Sequence, residues 1–553
     1  MKKVQIIVLF FFLGCAHNRS EKVDFIDVVD QFNENKNDFS DTQNRLSEGF
    51  FSSALADIKK DLLNLRLVNL DDLTNEQKID YQFIESLLVG KEIGYEDIQS
   101  WKRDPRDYMN FRTLSSMLNG PKSCEEKAGF LIKNLPIIYH DLKNGSAQLV
   151  GYVPRFQELG LHMAENAKLI FDVEIKEFLS QCSVSDEVQI VKLNAQVLDE
   201  LSRFTHFIEN DLPLKEVSTF SIGKNTYNKI LKNQFLLDYT DQTLWEFGWS
   251  EFNRTITEMD ALAKKIDSSQ TTKELLITIK NEYPDPHNMI TAHQHWVDKS
   301  GEHIKSQGLI PIPWKERVQV VARDEYLRKT SYYGNFSRAT DLDDEGYFTS
   351  KWKINPFEDD WNQQTKDEYL VEHDWGVIIV TAPHETYGGH HVQSLYQMHN
   401  PNELRKNNGL SLFSEGWGLY NEQLMLETGF YPDNKIKLRQ LQLRLWRNAR
   451  VIYDVGLHSG RLTYEDAIRL MTDQVGFLRW AAQLEIDSSA SRPGYFIGYF
   501  MGMTEILKMR TQYKMLRGSN FNLSDFHEKL LKIGNMPPKL MSKSLLSTPS
   551  SYK

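Results

Sequence analysis

Two adjacent glycines inside a histidine-rich segment place the strongest constraint on how this chain can fold. The segment runs from Ala382 to Gln393 and reads Ala-Pro-His-Glu-Thr-Tyr-Gly-Gly-His-His-Val-Gln. An apolar run that starts at Val377 precedes it and is expected to bury it. Because glycine adopts backbone conformations that other residues avoid, Gly388 and Gly389 permit a kink or bulge that interrupts a helix at this point.

The spacing of the histidines requires such a break if they bind one metal ion. On an unbroken helix His391 would share a face with His384 but lie about 10 Å further along, at about 1.5 Å per residue. Two nitrogens that bind the same zinc ion lie only about 3–4 Å apart. A break at the glycines allows His390 or His391 to approach His384. We favour His390, because Gly389 directly before it allows the sharpest turn, and keep His391 as the alternative.

A second motif supplies a carboxylate ligand. Glu415 opens the segment Glu-Gly-Trp-Gly-Leu-Tyr, some two dozen residues after the paired histidines. Two neutral imidazoles and one carboxylate leave zinc an open position for water. Zinc would lower the pKa of that water, and Glu385 is expected to accept its proton. Glu385 directly follows His384, so on a helix it points about 100° away from that ligand and stands beside the metal.

Both motifs resemble those of a bacterial family of unknown function whose members are often lipoproteins. The family is placed among the gluzincin (zincin-like, peptidase MA) metallopeptidases, and its marks are HExxPGHH and EGWxLY. These stand here as residues 384–391 and 415–420, with Gly388 in place of the family proline. The likeness spans most of the chain, from about residue 45 to 540. It implies a large helical gluzincin-like fold with a zinc site in a deep cleft.

The resemblance also covers two later segments, which hold His458 and Tyr499. Peptidases of this group commonly place a histidine or tyrosine donor over the developing oxyanion, a geometry that contributes strongly to the rate. His458 and Tyr499 are therefore candidate catalytic residues. Arg450 and Asp454 lie four residues apart on one expected helix, and we predict an ion pair there that positions His458.

Apolar residues at steps of three and four predict a mainly α-helical chain with an N-terminal helical region at 45–219 and a catalytic region at 220–553. Thr240 is the expected cap of a long helix that ends near Ile266. Aromatic and β-branched residues between Val318 and Trp352 predict one small antiparallel sheet at the active site. Its segment 346–350 is the predicted edge that pairs with an extended substrate.

The N-terminus has the pattern of a bacterial lipoprotein signal. Two lysines, a short apolar run and Gly-Cys-Ala predict cleavage before Cys15 and its acylation, with residues 1–15 as the signal and 16–44 as a tether. The expected location is the cell envelope, at the periplasmic face of the outer membrane. Cys124 and Cys182 remain after processing, and the sequence leaves their pairing in an oxidising compartment open.

The charge and the motifs together limit the classes of protein to which this chain can belong. A net charge of −11 excludes a nucleic-acid-binding protein, because such proteins need a basic surface. The same charge does not favour an anionic membrane surface, so the lipid anchor is the expected contact with the membrane. We predict an extracytoplasmic zinc-dependent peptidase with a peptide or small amide substrate. The alternatives are a zinc amidase that acts on a non-peptide substrate, and a non-enzymatic lipoprotein whose metal site is structural or lost.

Overall fold

Helices form most of the computed structural model, which describes residues 23–34, 45–120, 122–323, 328 and 334–547. The predicted signal segment, with Cys15, lies outside these residues. Within them, no helix has both the length and the apolar composition that crossing a bilayer requires. In chain order the α-helices are α1 (Phe25–Glu34), α2 (Glu48–Arg66), α3 (Asn75–Glu92), α4 (Arg112–Leu118), α5 (Cys124–Gln148), α6 (Pro154–Leu169), α7 (Ile175–Gln181), α8 (Glu187–His206), α9 (Gly223–Lys229), α10 (Asp241–Ile266), α11 (Thr272–Lys280), α12 (Met289–Ser306), α13 (Gln363–Glu372), α14 (Trp375–Glu385), α15 (His390–Met398), α16 (Glu403–Asn407), α17 (Ser411–Glu427), α18 (Asn434–Ser459), α19 (Tyr464–Arg469), α20 (Arg479–Ser491), α21 (Ile497–Arg517), α22 (Leu523–Ile533) and α23 (Pro538–Ser547).

Several helices begin with a side chain that caps the first turn. Thr240 caps α10 as predicted: its hydroxyl accepts the backbone N–H of Thr243, and the Thr243 side chain returns the contact to the Thr240 N–H. The same reciprocal pattern, between Ser123 and Glu126, begins α5. Each such cap satisfies two of the backbone donors that a helix end leaves unpaired.

Three strands form a small sheet beside α14 and α15. They are β3 (Glu316–Ala322), β4 (Asn335–Ser337) and β5 (Phe348–Ile354), in the order β3-β5-β4, and a separate two-stranded pair joins β1 (Gly151–Tyr152) to β2 (Glu216–Val217). The predicted antiparallel sheet is wrong in part, because β3 pairs with β5 in parallel and only β4 runs antiparallel. The connection between β3 and β5 is long enough for the crossover that a parallel pair needs.

Two main apolar cores organise the described helices. The smaller one contains Trp101, Phe171 and Phe204 from the region before residue 213. The larger one extends from α1 to α23 and contains Phe83 and Trp417. Helices α1 and α3 thus share the larger core with the helices after residue 220, so the cores do not divide at the boundary between 45–219 and 220–553. The assignment of 220–553 as a catalytic region stays a prediction.

The first helix also corrects the predicted tether at 16–44. Its residues Phe25, Val28 and Phe32 are buried in the larger core, so this part of the segment is packed helix. In the smaller core, Cys124 and Cys182 form a disulfide with their Cα atoms 5.7 Å apart, which resolves the pairing that the sequence left open.

Candidate metal centre

The helix that carries the first histidine breaks at the two glycines. Helix α14 ends at Glu385, and α15 begins at His390. Gly388 has a φ of +94°, which disfavours any residue with a side chain. A Cβ on Gly389 would overlap the backbone carbonyl of His384. Both positions therefore require glycine, and the predicted interruption of the helix is present.

Helix α17 holds this break in place. The indole N–H of Trp417 donates a 2.7 Å hydrogen bond to the carbonyl of Gly388, and Trp417 is fully buried. One residue further on, Gly418 faces the imidazole of His384, where a Cβ would lie 2.7 Å from the ring. The second sequence motif thus fixes the backbone of the first and makes room for its histidine.

Three candidate ligands converge at this break. The ligand atoms of His384, His390 and Glu415 all lie within 4.8 Å of one another, and no other such group of three is found among the described residues. One carboxylate oxygen of Glu415 is 3.9 Å from Nε2 of His384 and 3.5 Å from Nε2 of His390. The two imidazoles meet nearly at right angles, with ring centroids 5.0 Å apart. The arrangement directs both Nε2 atoms and one oxygen to a common point.

The outer nitrogen of His384 is held by a second carboxylate. Nδ1–H of His384 donates to Glu422, 2.9 Å away, and Glu422 is fully buried. The guanidinium of Arg447 lies 3.4 Å from the same oxygen. This contact selects the tautomer whose Nε2 lone pair faces the cluster, which is the arrangement that proteins use to orient metal-binding histidines.

The electrostatics of the cluster favour an ionised carboxylate. Burial raises the pKa of Glu415, but the adjacent His384 and His390 hold it well below its usual range. Burial lowers the pKa of His384, and the carboxylates of Glu415 and Glu422 more than offset this and raise it to about 9. The carboxylates thus stabilise a positive charge between them, either a proton on metal-free His384 or a metal cation that replaces the proton on Nε2.

Glu385 lies next to the cluster and outside it. It is the last residue of α14 and is half-buried, and its carboxylate makes no hydrogen bond to another described residue. The side chain therefore remains available to accept a proton beside the ligands.

Two tyrosines form one wall of the site. The Tyr495 hydroxyl donates a 2.8 Å hydrogen bond to the second carboxylate oxygen of Glu415. Tyr499 stacks on His384 with ring centroids 6.2 Å apart, and the guanidinium of Arg450 lies 4.2 Å from the Tyr499 ring centre. Burial and the charge of Glu415 raise the pKa of Tyr499 well above its usual value and that of Tyr495 to about 12. Both hydroxyls are protonated donors at neutral pH.

The structure separates the paired histidines. His390 joins the cluster, whereas His391 is fully buried and points to the sheet. Its Nε2 lies 2.7 Å from Glu316 on β3, and its Nδ1 lies 2.9 Å from the Ser350 hydroxyl on β5. Both ring nitrogens are occupied, so His391, the alternative ligand, is placed as a link between α15 and the sheet.

His458 does not reach the cluster. It is fully buried, and its Nε2 hydrogen bonds with the backbone carbonyl of Ser489 at 3.0 Å. Its described contacts include none with the three candidate ligands. The structure therefore does not support the predicted catalytic role of His458. The predicted Arg450–Asp454 ion pair is also wrong, because Arg450 pairs with Glu485 on α20 at 3.0 Å.

The predicted substrate-binding edge needs a correction as well. Segment 346–350 leads into β5, which is the central strand of the described sheet. The strand at the edge beside the site is β4, whose Phe336 ring lies 6.1 Å from that of His390. Among the described strands, β4 is therefore the edge strand that lies beside the cluster.

Two further residues, Glu422 and Tyr495, contact the candidate ligands. Glu422 lies seven residues after Glu415 and so on the same face of α17, which is the signal that identifies a supporting carboxylate. Tyr495 lies in the turn that precedes α21, four residues before Tyr499, and the two ring centroids are 6.2 Å apart. No local pattern, however, connects Tyr495 to Glu415.

Comparison with known proteins places the chain in a family. Residues 34–545 match the family described as bacterial protein of unknown function (DUF885), and the chain belongs to it. This confirms the predicted likeness to a family of unknown function, while membership of the gluzincin peptidases stays a prediction. A search of curated proteins found no match.

Two solved structures share the fold. One is titled a "putative lipoprotein of unknown function" from Shewanella oneidensis, with 19% identity, a TM-score of 0.79, and coverage of 95% of this chain and 100% of that one. The other is described as "the putative lipoprotein from Colwellia psychrerythraea", with 19% identity, a TM-score of 0.71, and coverage of 90% of this chain and 91% of that one. At this identity the likeness demonstrates the fold alone.

Proposed function

We propose that this protein is a zinc-dependent metallohydrolase of the bacterial cell envelope and that it cleaves peptides. The observation that carries the proposal is the convergence of His384, His390 and Glu415 within 4.8 Å, with Glu385 directly after His384 in the chain. Two imidazoles and one carboxylate are the donor set that catalytic zinc sites combine with an open position. Zn²⁺ is therefore the cofactor that these residues fit best.

The supporting contacts agree with this ligand set. Glu422 fixes His384 by its outer nitrogen, and Tyr495 occupies one oxygen of Glu415 so that the other faces the histidines. A structural zinc site would normally close all four positions with Cys or His, whereas this cluster offers three ligands. The site therefore favours an enzyme over the non-enzymatic alternative.

The chain's own residues supply the remaining chemistry. Zinc in this site would polarise water and a substrate carbonyl as a Lewis acid. In this proposal the Glu385 carboxylate, whose charge acts on the adjacent His384, accepts a proton from the attacking water and passes it to the leaving amine. The Tyr499 ring lies nearly parallel to that of His384, which supports its hydroxyl as the proposed donor to the developing oxyanion.

The edge strand favours a peptide over a small non-peptide amide. In the described sheet β4 lies at the edge next to His390. An edge strand offers backbone N–H and C=O groups to an extended chain, and peptidases use such pairing to align a substrate. An amidase that acts on a small molecule has no need of such an edge, and it remains the second candidate.

For the location, we propose a lipid on Cys15 and a place at the periplasmic face of the outer membrane. The signal pattern at residues 1–15 supports this. The Cys124–Cys182 disulfide fits an oxidising compartment.

The first experiment is a broad peptide-hydrolysis screen of purified protein, with zinc content measured on the same preparations. We expect about one zinc ion per chain and hydrolysis that a chelator abolishes. Glu385→Gln should retain zinc and lose roughly 10²–10⁴-fold in turnover, because the ligands stay and the general base is removed. Tyr499→Phe should also retain zinc, with a smaller loss. Normal turnover in zinc-loaded Glu385→Gln would refute the mechanism.

A further inference from the structure

The positively charged side chain of Arg492 lies at the rim of the candidate site. Arg492 directly follows α20 and is exposed. Its guanidinium lies 4.5 Å from the ring centre of Tyr495 and 5.4 Å from that of Phe496. It also donates a hydrogen bond to the hydroxyl of Ser488. Two aromatic rings and a hydroxyl thus contact the side chain.

No described carboxylate forms an ion pair with this cation. Neighbouring arginines of the same region differ in this respect: Arg450 pairs with Glu485 at 3.0 Å, and Arg479, at the start of α20, pairs with Glu465 at 2.9 Å. Since the guanidinium is a planar fork of donors that matches a carboxylate, Arg492 presents an oriented and uncompensated site for an anion.

The ring beneath the cation connects it to the cluster. Tyr495 contacts Arg492 through its aromatic face, and its hydroxyl hydrogen bonds to Glu415 at 2.8 Å. The separation between Glu415 and the guanidinium is therefore set by one tyrosine ring and these two contacts. A stretch of about two extended residues, at roughly 3.3–3.6 Å each, covers a distance of this order.

We propose that Arg492 binds a carboxylate of the substrate, so that the preferred substrates are peptides with a negative charge about two residues from the cleaved bond. The inference rests on the proposed peptidase function. The carboxylate can belong to the free C-terminus of a short peptide or to an acidic side chain. Both offer two oxygens to the same fork of donors.

The test measures binding, so that it does not depend on turnover. Zinc-loaded Glu385→Gln protein is titrated with three acetylated tripeptides: trialanine with a free C-terminus, its C-terminal amide, and an amide whose last residue is glutamate. We expect the free acid to bind about 10-fold more tightly than the neutral amide, the lower end for a hydrogen-bonded charge because the site is exposed. The preference should fall as salt rises.

The same titrations on an Arg492→Gln background should show no preference. Arg479→Gln is the matched control, since it removes the same charge from the other end of α20 where a surface glutamate already neutralises it, and it should keep the preference. Arg492→Lys should retain part of it, because the charge remains without the fork. Circular dichroism and zinc content verify that each variant is folded and loaded.

The outcomes distinguish a C-terminal carboxylate, an acidic side chain and the absence of any role for Arg492. Tight binding of the free acid alone assigns the C-terminal carboxylate, and equal binding of the glutamate amide assigns an acidic side chain. Equal affinity for all three peptides, or a preference that survives Arg492→Gln, overturns the role of Arg492 and leaves the peptidase proposal standing. If the zinc-loaded protein binds none of the three, the proposed function fails and this inference fails with it.

Discussion

Replacement of Glu422 by glutamine tests whether the buried carboxylate behind His384 tunes a metal site. The change preserves the size of the side chain and leaves an oxygen that can still accept from Nδ1–H of His384, now 2.9 Å away. What it removes is the negative charge. A charge-assisted hydrogen bond is roughly twice as strong as a neutral one, so His384 becomes a poorer donor to the metal.

The expected result is a zinc affinity lower by roughly 10–100-fold, the range measured when such outer partners are altered. This corresponds to about 1.4–2.7 kcal/mol at 25 °C. The assay is competition with a chromogenic zinc chelator at neutral pH. Glu427→Gln is the control, because it lies on the same helix α17 and pairs with Arg510 nearer the surface, away from the cluster. Its affinity should not change.

A loss of stability must be separated from a loss of affinity. Glu422 also lies 3.4 Å from the buried Arg447, so the variant leaves that cation without its counter-charge. Thermal unfolding of the metal-free proteins measures this effect independently of zinc. Unchanged zinc affinity in a folded Glu422→Gln protein would refute the view that this carboxylate supports a metal ligand.

Three further predictions follow from the structure. Gly418→Ala should weaken zinc binding without unfolding the protein, because its Cβ would lie 2.7 Å from the His384 ring; zinc titration tests this, and wild-type affinity would contradict it. Replacing Cys124 and Cys182 by serine should lower stability by about 2–4 kcal/mol in denaturant unfolding and leave zinc content unchanged, since the disulfide lies in the smaller core. Cys15→Ser should abolish metabolic lipid labelling, and equal labelling of both forms would exclude the lipoprotein assignment.

The sequence predicted the helical part of the fold and left the sheet partly wrong, for a physical reason. Cap residues such as Thr240 act on the next turn of their own chain, so their effect can be derived locally. Strand pairing depends on partners that are far apart in sequence. The parallel register of β3 and β5 and the central position of β5 have no local signal. Likewise, Arg450 has a suitable partner on its own helix but pairs with Glu485 on another.

In the candidate site, too, some features follow from the local sequence and others depend on the folded backbone. Residue types and spacing identified His384, Glu385 and Glu415, because the donor set of a zinc site is a matter of composition. The choice between His390 and His391 depended on the backbone at the break. His390 is the first residue of α15 and faces His384, and the next residue, about 100° further around the helix, points to the sheet.

The two sequence motifs form one structural unit, which explains why the second contains two glycines around a tryptophan. Gly416 lets α17 approach α21 at Gly502, where any side chain would collide with backbone. Trp417 then holds the carbonyl of Gly388, and Gly418 leaves space for the imidazole of His384. Helix α17 thus carries the candidate ligand Glu415, leaves space for His384 and fixes the break that brings His390 close to them. Loss of the Trp417 indole should therefore displace the break and the candidate ligands on either side of it, whereas a change at His391 should act through the sheet.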